Sequence, residues 1–357
     1  MLARARGGKH ATVRAAMNTQ GLARWLRGEK RSVWGEVLRA LLLPLALLYG
    51  LLAWVQGACT RTMPLPVPVI SVGNLELGGT GKSVLVRWLG LRLQAQGLRV
   101  LVVARGYGAP TAAGLDEEGA ELEAAGLRCA QGRKRHSTAM AALAQEPADV
   151  ILLDDGAQHR RVQRAVEILL YDAARPLGAG WPLPAGSLRG FAWAASRPHL
   201  VVLTRVDEVD AATLQHTREL LERMHPGVPQ VCMIHAPMQL LPTGAVAALA
   251  GKRVCLLSGM ARPASLHRMA TSVGAVVVHE YAAADHHPWT QHELSAVDAQ
   301  ARRAGAELLL TSGKDWPKLR SMATELPLRA LQVQAQFEPD AVSIFDAILR
   351  AALPPRT

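Results

Sequence analysis

Residues 68–83, PVISVGNLELGGTGKS, constrain this chain more than any other stretch: a short apolar run breaks into glycines and then opens a helical pattern, Val-Leu-Val-Arg-Trp-Leu. That layout is a strand, a phosphate-binding loop and a helix. Gly78, Gly79 and Gly81, with Thr80 among them, let backbone N–H groups turn inward around an anion. Lys82 reaches the β- and γ-oxygens of a nucleotide, and Ser83 offers a hydroxyl to Mg²⁺. The following helix aims the positive end of its dipole at the same anion. The spacing departs from G-x-x-x-x-G-K-[ST] at one point, where Glu76 replaces the first glycine. An ordinary glycine-rich turn gives no reason for Gly-Lys-Ser at a helix start, so nucleotide phosphate binding is the expectation.

Apolar runs at 99–104, 150–153, 166–171 and 200–203 read as further strands, separated by helical stretches. Such alternation predicts an α/β fold whose parallel sheet is covered on both faces. The run at 150–153 ends in Asp154 and Asp155. A carboxylate at the C-terminal end of a parallel strand is where phosphate-loop proteins hold a magnesium ion or its water shell. The Pro/Gly-rich loop at 180–190 carries Arg189, placed to reach a phosphate. From about residue 235 the pattern restarts, with strands expected at 253–259, 274–279 and 306–311. Asp-His-His-Pro-Trp at 285–289 and Ser-Gly-Lys-Asp at 312–315 follow apolar strands and are expected to line a cleft against the first domain. The expected division is a basic extension and membrane-associated helix at 1–62, a phosphate-loop kinase domain at 63–235, and a smaller α/β/α domain at 236–357.

A net charge of +11 suggests an anionic partner, but its distribution decides which one. Residues 1–62 hold ten Lys/Arg against Glu29 and Glu36, while the remainder carries 30 basic and 27 acidic residues. The surplus therefore belongs to the N-terminal arm and points to an anionic membrane surface, with no nucleic acid as partner. Residues 1–20 read either as a flexible extension or as the product of an upstream start codon, Met17 offering a later start. Residues 40–60 form an uncharged apolar run close to the ~20 residues that cross a bilayer, interrupted by Pro44, Gly50 and Gln56. Trp34, Tyr49 and Trp54 favour the membrane interface. Spanning and lying in the interface both stay open. The cysteines, Cys59, Cys129, Cys232 and Cys255, are scattered without a C-x-x-C, which fits a reducing compartment and neither a zinc site nor a disulfide framework.

Taken in order, the basic-then-apolar N-terminal segment, PVISVGNLELGGTGKS, Arg-Gly-Tyr-Gly at 105–108, Asp-Asp-Gly-Ala-Gln-His at 154–159, Leu-Pro-Ala-Gly-Ser-Leu-Arg at 183–189 and Asp-His-His-Pro-Trp resemble the tetraacyldisaccharide 4'-kinases of lipid A biosynthesis. The resemblance covers residues 22–330. It implies transfer of the ATP γ-phosphate to the 4'-hydroxyl of an acylated glucosamine disaccharide 1-phosphate, with Mg²⁺, at the cytoplasmic face of the inner membrane. It also implies two α/β/α domains, the first phosphate-loop-like, with a small β linker and an active site between them.

Carried over by position, the resemblance gives Lys82 and Ser83 the phosphate and magnesium roles, and makes Asp154 and Asp155 the paired aspartates, with Ala157 in place of a bulkier residue. Asp116 and Glu117 fall where the family has Gly-Asp-Glu-Pro, here Leu-Asp-Glu-Glu, which implies Asp116 as catalytic base and Glu117 as a metal-site acid. His286 matches the histidine that pairs with that base. Arg133 and Arg135 fall near a basic motif, and Arg189 matches an arginine that closes on nucleotide. Thr311, Lys314 and Asp315 resemble a Thr-x-Lys-Asp motif with one extra residue.

A runner-up reading is a GTPase or ATPase switch. Its support is Thr-Arg-Val-Asp at 204–207 after an apolar strand, an echo of the Asn-Lys-x-Asp that reads guanine. A membrane-anchored scaffold with a degenerate loop is a third reading, and intact Lys82, Ser83, Asp154 and Asp155 argue against it.

Overall fold

The computed structural model describes residues 21–29, 32–106, 115–195, 197–260, 262–285 and 287–353. His286, Tyr107, Gly108 and residues 1–20 lie outside the described residues, and the Glu117 side chain is likewise not described. The chain divides into two compact units, one holding 23–235 with the segment from Ala335 onward, the other Ala236–Gln334.

The first unit is built on parallel strands β1 (Val69–Gly73), β2 (Val100–Ala104), β3 (Arg128–Gln131), β4 (Val150–Asp154), β5 (Val166–Asp172), β6 (Leu200–Thr204) and the start of β7 (Gln230–Leu241). Their order is β3-β2-β4-β1-β5-β6-β7. Every residue of β1, β2, β4, β5 and β6 is buried, as expected where helices cover both faces. The chain leaves β1 toward one side of the sheet and later crosses to the other, so β1 stands at the point where strand order reverses. Ligands bind beyond the carboxyl ends of the strands at such a point. Val72 pairs with Asp154, which puts that carboxylate beside the exit of β1.

Helices α1 (Val33–Cys59), α2 (Lys82–Ala95), α3 (Glu117–Ala124), α4 (Arg135–Gln145) and α5 (Ala211–Met224) belong to this unit. Strand alternation splits the core: Ile70, Val72, Val102 and Leu152 meet Leu85, Leu89 and Leu93 of α2 on one face. Val69, Leu101, Val103 and Ile151 meet Ala139 and Ala142 of α4 on the other.

Helix α1, the apolar run of the sequence, starts on a cap in which Ser32 accepts a hydrogen bond from the Gly35 amide. At 27 residues it extends roughly 40 Å. One face is docked on the unit. The Arg39 guanidinium donates to the carbonyls of Ala185 (3.0 Å) and Trp25 (2.9 Å) and stacks on the Trp25 ring. Gly50 leaves room for the Phe191 ring, 2.7 Å from where a Cβ would stand, and Gly57 does the same for the Arg160 guanidinium at 2.9 Å. Gly50, which weakens this helix as a membrane span, is thus, together with Gly57, a notch by which it docks. The opposite face, with Leu38, Leu41, Leu45, Leu48 and Leu52, is exposed.

The second unit pairs β8 (Arg253–Ser258), β9 (Val276–Ala282), β10 (Leu308–Ser312) and β11 (Leu328–Phe337) in the order β11-β10-β8-β9, all parallel. Its helices are α6 (Pro263–Ser272), α7 (Gln291–Arg303) and the single turn α8 (Trp316–Leu319). The chain leaves the first unit within β7 and returns within β11.

The returning segment ends in α9 (Ala341–Ala352), which packs in the first unit. The sequence reading assigns these residues to the second domain, and the packing differs for a physical reason. Phe337 and Phe345 pack at a tilt against Trp88 of α2, with ring centroids 4.5 and 5.0 Å away, and Asp346 accepts from Nε and Nη2 of Arg92 (3.0 and 2.6 Å). The helix that follows the phosphate loop is therefore backed by the end of the chain. Phe345→Ala is expected to lower unfolding free energy by about 3–5 kcal/mol in urea titrations; a loss under about 1 kcal/mol would show that α9 adds little to this core.

Candidate active site

The loop between β1 and α2 has the backbone that its glycines allow. Gly78 and Gly81 adopt φ of 118° and 91°, which a side chain would strain. Gly81 is the N-cap of α2 and offers no side chain to cap it, so the first amides of the helix are left for an external acceptor. Thr80 is buried and Ser83 half-buried at the second position of the helix.

Glu76, the departure from the usual spacing, has a structural explanation. Its buried carboxylate accepts from Ser187 Oγ at 2.9 Å, the Leu77 amide donates to the Ser187 carbonyl at 2.8 Å, and the Arg189 amide donates to the Leu75 carbonyl at 2.9 Å. A glycine there would forgo the carboxylate that ties this loop to the one carrying Arg189.

Lys82, Asp155 and Arg189 consequently converge. Lys82 Nζ donates to Asn74 Oδ1 at 3.0 Å and lies 3.6 Å from Asp155 Oδ1. Arg189 donates to Asp155 Oδ2 at 2.7 Å and to Gln158 Oε1 at 2.9 Å, while Gln158 Nε2 donates to the Asn74 carbonyl at 3.0 Å. Asp155 reaches this position because its backbone is left-handed, with φ of 53°, at the end of β4, a conformation that Asp adopts more readily than most residues. Burial works to raise the Asp155 pKa, but Lys82 and Arg189 outweigh it and hold the carboxyl below its usual range. Asp154 has the opposite environment. Burial first, then the charge of Glu118, push its pKa up to about 7, against the opposing pull of Lys82.

Five buried polar atoms here, Asn74 Nδ2, Thr80 Oγ1, Asp154 Oδ1, Asp155 Oδ1 and Arg189 Nε, have no hydrogen-bond partner among the described residues. Buried polar groups are nearly always paired, so such a concentration marks the place of a polar ligand. The described residues hold no group of three His, Cys, Asp or Glu able to bind a metal alone. Two carboxylates and a serine hydroxyl beside a phosphate site nevertheless suit Mg²⁺, which characteristically binds one or two carboxylates together with substrate phosphates.

The other expected residues distribute as follows. Asp116 is the N-cap of α3, buried, its Oδ1 accepting from the Gly119 amide at 2.9 Å and from Gln131 Nε2 at 2.5 Å. Glu118, the second residue of that helix, acts on Asp154, so the start of α3 stands within electrostatic reach of the paired aspartates. Arg135 is buried and donates to the Gly132 carbonyl at 2.9 Å, with a longer contact of 3.4 Å to the Asp154 carbonyl, whereas Arg133 is exposed. In the second unit Thr311 donates to the Leu257 carbonyl at 2.9 Å. Asp315 is fully buried, accepting from the Gly259 amide and from Ser312 Oγ, each at 2.9 Å. It ties the ends of β8 and β10 together, and Lys314 lies 3.7 Å from Asp285. Asn74, Gln158 and Arg205 went unassigned at the level of sequence. The first two sit inside motifs already singled out, and Arg205 sits in the segment that echoes a guanine reader.

Beside the loop opens a groove of about 870 Å³. Asp155, Gln158 and Arg189 form one part of its lining, Arg61, Arg105, Arg160 and Arg161 another, and Tyr49, Trp54 and Phe191 an aromatic wall against α1.

A parallel sheet with a lysine-bearing glycine loop at its switch point, faced by paired aspartates, defines a phosphate-loop phosphotransferase. A family model described as tetraacyldisaccharide-1-P 4'-kinase matches residues 38–350. The tetraacyldisaccharide 4'-kinase of Geobacter sulfurreducens is 37% identical over 333 residues, covering 85% of this chain and 91% of that protein. That of Pelobacter propionicus is 35% identical, covering 84% and 88%. The crystal structure of LpxK from Aquifex aeolicus in complex with ATP has the same fold, with a TM-score of 0.69 at 24% identity, covering 89% of this chain and 100% of that one. The chain belongs to the tetraacyldisaccharide 4'-kinase family, and it is a kinase of lipid A biosynthesis.

The raised pKa of Asp154 makes a prediction with a definite sign. Below about 7 the folded, nucleotide-free protein keeps a proton that the unfolded chain releases near 3.8. The stability this contributes is present at low pH and is lost as pH rises toward 7. In Asp154→Asn the melting temperature is expected to fall less between pH 5 and pH 8 than in the wild type, while kinase turnover is lost. Parallel melting curves for the two proteins would show that Asp154 ionises normally.

Proposed function

We propose that the kinase transfers the γ-phosphate of ATP to the 4'-hydroxyl of a tetraacyldisaccharide 1-phosphate, at the cytoplasmic face of the inner membrane. The observation that carries this reading is that the groove against α1 opens onto the phosphate-loop lysine: Asp155 lines the groove and pairs with Lys82, and Arg189 lines it and pairs with Asp155. An acceptor held in the groove would reach a triphosphate held by the loop.

Phosphoryl transfer asks the protein mainly for positioning and charge neutralisation. In this proposal the glycine-loop amides and Lys82 hold the β- and γ-phosphates, and Arg189 closes from the groove side. Ser83, Asp154 and Asp155 would hold Mg²⁺, with Glu117 as a further acid, and the ion would neutralise charge on the phosphate oxygens. Asp116 accepts the proton of the 4'-hydroxyl, and His286 orients it. A sugar hydroxyl is a poor nucleophile at neutral pH, so a positioned base contributes typically ~10²- to 10⁴-fold.

The arginines of the groove suit the acceptor's 1-phosphate, and its acyl chains suit the apolar side of α1. A helix docked along one face and apolar along the other lies in the interface of one leaflet, with the catalytic unit beside it. The basic residues around it favour anionic lipid. The switch reading has less behind it, because Arg205 of Thr-Arg-Val-Asp bonds Asp172 and the Gly79 carbonyl and is not presented to a guanine edge.

The test is transfer of labelled phosphate from [γ-³²P]ATP to a tetraacyldisaccharide 1-phosphate in mixed micelles. Label in the lipid is expected for the wild type and none for Lys82→Ala. ATP turnover without labelled lipid would instead support a switch. Asp116→Ala is expected to lower kcat roughly 10²-fold or more with little change in KM for ATP; a raised KM at unchanged kcat would reassign Asp116 to binding.

A further inference from the structure

Arg205 carries more structural commitment than a solvent-facing turn residue needs. It is buried at the exit of β6 and holds a left-handed backbone, φ 58° and ψ 39°, which a side-chain-bearing residue seldom adopts. That conformation is fixed by its own amide, which donates to the Met233 carbonyl of β7 at 3.0 Å, and by its carbonyl, which accepts from the Glu208 amide at 3.0 Å. The side chain is then directed beneath the phosphate loop. One N–H group of the guanidinium binds the Asp172 carboxylate at the end of β5, and the other binds the Gly79 carbonyl of the loop.

The second bond matters for chemistry. In a trans peptide the C=O and the following N–H point in opposite directions from one plane. Drawing the Gly79 carbonyl toward Arg205 therefore turns the Thr80 N–H away from it, to the side where phosphate oxygens would lie. The strand that anchors Arg205 also supports the neighbouring peptide. Met233 Cε and the His235 ring occupy the space beside Gly81, with His235 Nε2 only 2.5 Å from where a Cβ would be. Burial and then the Arg205 charge hold the His235 pKa down at about 4, so the ring packs there uncharged.

We infer that Arg205, clamped by Asp172, is a positioning residue for the phosphoryl donor: it sets the Gly79–Thr80 peptide so that the Thr80 amide faces the nucleotide phosphates. The inference rests on the nucleotide reading of the loop. It assigns the Thr-Arg-Val-Asp segment to the phosphate end of the nucleotide, not the base. Lysine is an inadequate substitute, because a single ammonium lacks the planar fork that spans a carboxylate and a carbonyl at once.

The experiment is ATP titration by calorimetry with full-length protein in detergent micelles, alongside KM for ATP and for the lipid acceptor, on wild type, Lys82→Ala, Arg205→Lys and Asp172→Asn. Arg205→Lys is expected to weaken ATP binding and raise its KM roughly 10- to 100-fold, with the acceptor KM and the melting temperature near wild type. Asp172→Asn, which leaves the fork but loosens its anchor, is expected to shift ATP in the same direction by less. Either variant suffices should the other not fold. Wild-type ATP affinity in a folded variant, or equal losses for ATP and acceptor, would overturn the inference. Absence of ATP binding by the wild type itself would instead remove the nucleotide reading on which it rests.

Discussion

Lys82 and Arg189 reach one carboxylate, Asp155, from different segments of the chain, and the remaining site geometry depends on that meeting. Lysine comes from the start of a helix, arginine from a loop more than a hundred residues later, and the carboxylate from the end of the strand that pairs with β1. Two cations and two carboxylates in a half-sheltered cleft are costly to desolvate. Asp155 keeps its charge because both cations face it, while Asp154, more deeply buried and facing Glu118, holds its proton to about pH 7. Below about pH 7 the two acids thus differ, with Asp155 ionised and Asp154 protonated. A bound nucleotide would engage Lys82 and Arg189 through its phosphates, and its cation would favour the ionised form of both acids.

Helix α1 has the composition of a membrane span and the packing of a docked element. Its notches, Gly50 and Gly57, lie seven residues apart on the face that meets Phe191 and Arg160, and its leucines occupy the other face. Phe191 is two residues from Arg189 in the same loop. A short covalent path therefore links the helix that would meet lipid to the arginine that would meet nucleotide. That proximity suits an enzyme whose acceptor stays in a bilayer while its donor is soluble.

Much of this was legible in the sequence, because the decisive signals are local. Continuous apolar runs marked β1, β2, β4, β5 and β6, whose residues are buried on both faces. Glycines 78 and 81 marked the loop, because only glycine takes those φ values easily. The signals that failed are of two kinds. β3 is a four-residue strand with no apolar run, β7 mixes apolar residues with Gln, Pro and His, and β11 mixes them with Arg and Gln, so length and composition concealed them. The return of α9 to the first unit depends on contacts between residues some 250 positions apart, Arg92 with Asp346 and Trp88 with Phe345, which no local pattern encodes. Glu76 and Arg205 were misleading for the same reason. Each looks like a defect in a nucleotide motif until its tertiary partner, Ser187 or Gly79, is in view.

The central claim is that the cleft around Asp155 is arranged for a triphosphate. A crystal structure of the full-length protein with a non-hydrolysable ATP analogue and Mg²⁺ tests it most directly. The account predicts that Lys82 Nζ leaves Asn74 for the β- and γ-phosphate oxygens, that the Thr80 amide donates to a phosphate, and that Asp154 and Asp155 flank the cation. A nucleotide bound elsewhere, with Lys82 still on Asn74 and Asp155, would contradict it.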